Sequence, residues 1–255
     1  FVDWKLYGRT DKLFVKRFEE ETNLRCRIII DRSSSMYFPV KEKADINDPN
    51  KVTFSVYAAA VLLNLMKKQR DAVGISTFTD KIDLHTQSRS SSVHNKYLYS
   101  ELEKLLDPKP AKEQRPTNIT ESLHNIAEML HKRSLVILFS DMMDDIHKLD
   151  EVFAALQHFK HYRHEVILFH VMDKKLEEFL DLDDRPIRFV DMETKETIKL
   201  NPVEVRERYT RAFSKIRKEL EMRCGRYKID YVQADINRGF ERILLPYLFK
   251  RERLH

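Results

Sequence analysis

Two short stretches carry oxygen donors where a fold could converge them. Asp31-Arg32-Ser33-Ser34-Ser35 follows the apolar run Leu24 to Ile30 (LRCRIII), and Asp141 follows the apolar run Leu135 to Ser140 (LVILFS). The first stretch offers one carboxylate and two hydroxyls on alternate residues of a tight loop. Between the two, Pro116-Thr117-Asn118 sets a further hydroxyl just ahead of a helix expected to begin at Ile119. Asp31, Ser33, Ser35, Thr117 and Asp141 are hard oxygen donors with no thiolate among them. Such a set suits Mg²⁺ or Mn²⁺, which favour octahedral oxygen coordination and retain water. Two carboxylates balance the ion's charge, hydroxyls fill other positions, and a position held by water can accept a carboxylate from another molecule.

Other chemistries fit these residues less well. Either stretch alone would read as a turn or a helix cap. Their joint placement at the ends of buried strands, with Thr117 between, favours a metal site. A phosphatase of the haloacid type needs a second acid two residues after its strand-end Asp, and that position is Ser33. No glycine flanks Ser33 or Ser35, so the G-x-S-x-G elbow of a serine hydrolase is missing. His158, His161 and His164 do not share one helical face as zinc ligands would. They are expected to be exposed, as are His124 and His131, whereas His170 inside an apolar strand is expected to be a hydrogen-bonded core residue.

The elements that must position the donors alternate along the chain. Strands are expected at Leu24 to Ile30, Ala72 to Phe78, Ile82 to Thr86, Leu135 to Ser140, Glu165 to Met172 and Ile229 to Gln233. Helices are expected at Val52 to Lys68, Val93 to Leu106, Ile119 to Arg133, Leu149 to Tyr162, Val203 to Arg223 and Arg238 to Arg251. Ile187 to Val190 and Thr197 to Leu200 read as a hairpin. Continuous apolar strands separated by helices imply a doubly wound α/β fold, with a mostly parallel sheet covered on both faces and one antiparallel edge strand near Ile82 to Thr86. Ligands of such sheets bind beyond the carboxyl ends of strands where the strand order reverses. That rule directs attention to Asp31 and Asp141.

Composition narrows the field. The 255 residues are 42% hydrophobic and 34% charged, enough apolar material for a core. The four glycines (Gly8, Gly74, Gly225 and Gly239) are too dispersed for a dinucleotide fingerprint or a P-loop. Forty-six Lys and Arg against 41 Asp and Glu leave a net charge of +5, which permits an acidic partner without demanding nucleic acid. The basic helix 203–223 interleaves Arg and Lys with Glu, a pattern more typical of a solvated, salt-bridged face than of a nucleic-acid surface. The acids from Glu177 to Asp184 read as a solvated loop. Cys26 and Cys224 make no disulfide framework and read as free thiols. The longest mostly apolar stretch, Val56 to Met66, is short of the roughly 20 residues a membrane span needs, and no signal peptide is visible.

The combination of D-x-S-x-S at Asp31 to Ser35 with Thr117 and Asp141 resembles a von Willebrand factor type A domain with a complete metal-ion-dependent adhesion site. The resemblance implies that Asp31, Ser33, Ser35, Thr117 and Asp141 hold the metal directly or through water, and that a partner's Asp or Glu completes the coordination. Arg32, Ser34, Asn118 and Met142, beside these positions, are then candidate partner contacts. Arg32 and Ser34 depart from the usual pattern of that loop: an inward Arg32 would weaken metal binding, and an outward one could steer an acidic ligand. The segments VDWKLYGRTDKLFVKRFEEE, FSDMMDD and FVDMETKETIKL are similar to those of a bacterial family catalogued as domain of unknown function fifty-eight. Its members are commonly encoded beside MoxR-type AAA+ ATPases. The resemblance implies a cytoplasmic, non-enzymatic adaptor that works with such an ATPase in assembling or remodelling protein complexes. It also implies residues upstream of Phe1. An amino-terminal extension over 1–23, anchored by Trp4, is expected to pack on a domain spanning 24–255, with the hairpin inserted near 187–200. The alternatives are a metal-dependent hydrolase using the same acids and a nucleic-acid binder using helix 203–223.

Overall fold

A computed structural model describes residues 24–106, 119–131, 133–142, 149–190, 196–239 and 242–244. The expected amino-terminal extension, Thr117 and Asn118, and most of the expected last helix lie outside the described residues.

The chain opens with β1 (Arg25–Asp31), a 3₁₀ turn at Ser34–Tyr37 and helix α1 (Lys51–Lys68). Next come β2 (Ala72–Phe78), β3 (Ile82–His85), α2 (Ser92–Lys104), α3 (Ile119–Met129) and β4 (Leu135–Ser140). Helix α4 (Leu149–His161), β5 (Glu165–Met172) and a π-helical turn at Lys174–Glu178 follow. The hairpin strands β6 (Ile187–Val190) and β7 (Thr197–Leu200), helix α5 (Pro202–Arg226) and β8 (Asp230–Asp235) complete the elements.

Among the described residues, six strands form one sheet in the order β3-β2-β1-β4-β5-β8, and β6 and β7 form a separate two-stranded sheet. All pairings in the large sheet are parallel except the β2–β3 edge. The fold is thus the expected doubly wound one. The chain runs from β1 to β2 on one side and returns to place β4 on the other. The order reverses between β1 and β4, and the carboxyl ends of those two strands flank the crevice this creates.

Alternate strand residues feed two cores. Ile28 and Ile30 of β1 pack with Phe54, Val56, Leu62 and Leu63 of α1 on one face. Ile29, on the other face, joins Leu123 and Ile126 of α3 and Phe153 and Leu156 of α4. Both faces are buried, so strands such as β4 (LVILFS) show no polar alternation. Phe139 and Phe169 stack at 4.8 Å between centroids across β4 and β5. A polar exception sits lower in β1. Arg27 is 3% exposed, and its guanidinium donates to Ile75 O at 3.2 Å and Ser76 Oγ at 3.3 Å. Gly74 leaves room for it, since a Cβ there would stand 2.9 Å from the guanidinium.

The structure corrects several expectations. His164 is 2% exposed rather than solvated: it lies past the end of α4, and its Nδ1 accepts from Ser134 N at 3.0 Å. His131, His158 and His161 are exposed as expected, whereas His124 is half-buried and lies edge-on to His158 at 4.4 Å between ring centroids, linking α3 to α4. The start of the acidic run is not solvated either. Glu178 is 4% exposed and pairs with Arg217 of α5 at 3.2 Å. Tertiary packing supplies these acids with cations that local sequence does not reveal.

Candidate metal centre

Asp31 closes β1 and Asp141 immediately follows β4; both are buried. β1 and β4 are neighbours in the sheet, with Ile30 opposite Phe139, so the two carboxylates emerge side by side at the carboxyl edge. The loop after β1 is wound tightly. Ser33 N donates to Asp31 Oδ1 at 2.8 Å, an Asx-type turn that re-aims the chain over the strand end. Arg32 N donates to Phe78 O at 2.8 Å and ties the loop to β2. Ser33 Oγ and Ser35 Oγ stand 3.0 Å apart.

Ser140 orients Asp31 from the neighbouring strand. Its Oγ donates to Asp31 Oδ2 at 2.7 Å and accepts from Met142 N at 3.0 Å. Met142 has a φ of 52°, the left-handed turn that swings the chain off β4. Asp141's backbone is held in turn by His170, whose Nε2 lies 2.9 Å from Asp141 O and whose Nδ1 lies 2.7 Å from Tyr231 Oη. A carbonyl oxygen can only accept. Nε2 therefore carries the proton, and Nδ1 accepts from the tyrosine. Burial lowers the His170 pKa to about 4, in keeping with a neutral ring. His170 is the hydrogen-bonded core residue expected from sequence.

Burial, and then the Asp141 charge, raise the Asp31 carboxyl to about 7, against the opposing hydrogen bonds from Ser140 and Ser33. Two buried carboxylates facing each other at a strand end are costly without a cation.

Part of that cation is internal, at a residue outside the sequence-derived set. Lys51, the first residue of α1, has a fully buried side chain. Its Nζ donates to Asp141 Oδ2 at 2.7 Å and to Glu177 Oε1 at 2.5 Å. Burial alone would lower the lysine pKa, but Asp141 and Glu177 together hold it above the ordinary range. Glu177 is anchored through Oε2, which accepts from Asp173 N at 2.7 Å. Asn50 caps α1 by accepting from Thr53 N at 2.8 Å, which sets the start of the helix and hence the depth of Lys51. One sequence signal pointed here: α1 is apolar on nearly every side, so a lysine in its first turn is drawn inward with it. Nothing local marked Glu177.

Of the expected ligands, Asp31, Ser33, Ser35 and Asp141 come together, while Thr117 lies outside the described residues with Asn118. Arg32 pairs with Asp83 of β3 at 3.3 Å and donates to Tyr37 Oη at 3.3 Å. Ser34 is half-buried beside the site. Met142, expected as a partner contact, is 5% exposed and packs in the α3–α4 core, so its side chain offers no partner surface. Four of the eight basic residues of α5 (Arg206, Arg211, Arg217 and Arg223) are engaged within the chain. Arg206 reaches Leu180 O and Leu182 O, and Arg217 and Arg223 pair with acids.

Comparison with known proteins places the chain in a family. The model for "Protein of unknown function DUF58" matches residues 1–219. The chain belongs to the DUF58 family. Its fold is shared with that of an aerotolerance-related membrane protein from Bacteroides fragilis NCTC 9343, solved with multiple mutations to serines. That structure aligns with a TM-score of 0.52 at 16% identity, over 87% of this chain and 97% of that one. The conserved hypothetical protein BatB from Bacteroides thetaiotaomicron aligns with a TM-score of 0.48 at 15% identity, over 83% and 90% of the two chains. No curated protein matches. Among the described residues of this DUF58 protein, no helix is long and apolar enough to cross a membrane.

Proposed function

We propose that the carboxyl ends of β1 and β4 form a divalent-cation site of the von Willebrand factor A type, and that the protein is a metal-dependent protein-binding module. The carrying observation is the donor geometry. Adjacent ligands in a Mg²⁺ octahedron with bonds of about 2.1 Å stand about 3.0 Å apart. The hydroxyls of Ser33 and Ser35 stand 3.0 Å apart in a mutual hydrogen bond, on the loop that leaves the buried Asp31, and Asp141 is buried at the end of the neighbouring strand. The Lys51 ammonium offsets only one of the three acids Asp31, Asp141 and Glu177, so the ionised cluster keeps a net negative charge that a divalent ion would balance. In this reading Asp31, Ser33, Ser35 and Asp141 hold Mg²⁺ or Mn²⁺, with Thr117 as a further ligand. The bound ion supplies an electrophilic position at which a partner's Asp or Glu replaces water.

Binding rather than turnover is favoured by His170. Both its ring nitrogens are engaged, so it has none left to act as a general base toward Ser33 or Ser35. Resemblance to the family extends the proposal to a cytoplasmic adaptor role beside a MoxR-type AAA+ ATPase.

Calorimetric titration of chelator-stripped protein with Mg²⁺ and Mn²⁺ tests the site. Saturable binding is expected in the wild type and should disappear in Asp31→Ala and Thr117→Ala. Equal binding by wild type and both variants would sink the proposal. Capture of the ATPase that is lost in chelator would then test the partner.

A further inference from the structure

Lys51 is placed to do more than balance charge. Its Nζ shares one carboxylate, Asp141, with the proposed metal and is held from behind by Glu177. Glu177 is fixed to the backbone of Asp173, whose own side chain accepts from Leu176 N at 3.1 Å and from Asn237 Nδ2 at 2.7 Å. The ammonium is thus clamped from the β5 and β8 ends of the sheet. The Phe38 ring lies 5.8 Å from Nζ on another side. A divalent ion bound by Asp141 would therefore meet a fixed positive charge that is tethered and cannot withdraw into solvent.

We infer that Lys51 is a built-in competitor for the metal, which lowers the intrinsic affinity of the site so that a partner's carboxylate is needed to hold the ion firmly. This rests on the metal-site reading above. Counting unit charges, Asp31, Asp141 and Glu177 with Lys51 sum to −2. A divalent ion brings the cluster to neutrality and leaves the ion able to attract one more carboxylate. Without Lys51 the three acids sum to −3. The ion would then bind more tightly, and the metal-loaded cluster would already carry −1, which would repel an incoming carboxylate. Lys51 therefore trades retention of free metal for capture of an acidic ligand. Like charges a few ångströms apart in a buried site interact strongly, since water screens them poorly.

The test compares chelator-stripped wild type, Lys51→Met and the double variant Lys51→Met/Glu177→Gln, each titrated calorimetrically with Mg²⁺ and Mn²⁺ alone and melted with and without metal. The double variant removes one charge of each sign, which guards against failure of the single variant to fold. At least tenfold tighter Mg²⁺ binding is expected in Lys51→Met, with a larger rise in Tm on adding metal than in the wild type, and a smaller gain in the double variant, whose acids again sum to −2 but whose Asp141 no longer shares its carboxylate with an ammonium. Binding in a substituted protein alone, with none in the wild type, would be the same result at its limit. Wild-type binding with equal or weaker affinity in the variants would overturn the competitor role and leave the metal site standing. No binding in any of the three would overturn the metal-site reading and this inference together.

Discussion

Replacing Asp31 by Asn should stabilise the metal-free protein at alkaline pH while removing its response to metal. The Asp31 carboxyl is raised from 3.8 to about 7, by burial and then by Asp141. A group with a raised folded-state pKa contributes stability that is fully present below its unfolded value and is lost as pH rises through the folded value. Each pH unit in that window is worth about 1.4 kcal/mol. Between pH 5 and pH 7, Asp31 therefore removes on the order of 3 kcal/mol, and little more is lost above pH 7. Asn keeps an oxygen to accept from Ser33 N but disturbs the bond from Ser140, at about 1 kcal/mol. The loss already incurred between pH 3.8 and pH 5 roughly offsets that cost, so Asp31→Asn should be close to wild type at pH 5 and about 3 kcal/mol more stable at pH 8. Urea denaturation in chelator, run on both proteins at both pH values, measures the difference and cancels the titration of histidines common to the two. Added Mg²⁺ should stabilise the wild type at pH 8 and leave Asp31→Asn unchanged. If Asp31→Asn is less stable than wild type at pH 8 in chelator, the ionised Asp31 carboxylate does not destabilise the metal-free fold, and the reasoning fails.

Further perturbations probe the frame around the site. Arg217→Met would leave Glu178 buried without its closest cation, and urea denaturation should show a loss of about 3 kcal/mol. Gly74→Ala would drive a methyl group into the Arg27 guanidinium, with an expected loss of about 1–3 kcal/mol in the same assay. Phe169→Ala would remove one of the two stacked rings beneath the site at an expected cost of about 3–5 kcal/mol. A smaller loss would mean that β4 and β5 close over the gap.

Much of the fold was legible because its signals are local. The apolar runs at β2, β4 and β5 match the observed strands residue for residue, and so do the two hairpin strands. Helix ends moved by a few residues, as with α3, which stops at Met129 rather than continuing to Arg133. Helix termini fray and carry few decisive sequence marks. Asp31 and Asp141 were legible as site residues because each directly follows a continuous apolar run. The burial of His164 was not, because it depends on Ser134, which the chain brings alongside only when β4 and β5 pair.

The sequence by itself determined which segments become strands and helices, through apolar periodicity and length. It also determined that a carboxylate and two hydroxyls would leave β1 together. Tertiary structure alone decided that β1 lies beside β4, so that Asp31 and Asp141 face each other. It alone set Lys51 between Asp141 and Glu177, residues 90 and 126 positions away along the chain. The physical reason is range. Backbone preference and hydrophobic pattern act over a few residues, whereas buried charges are paired by whichever partners the packed sheet and helices bring within reach.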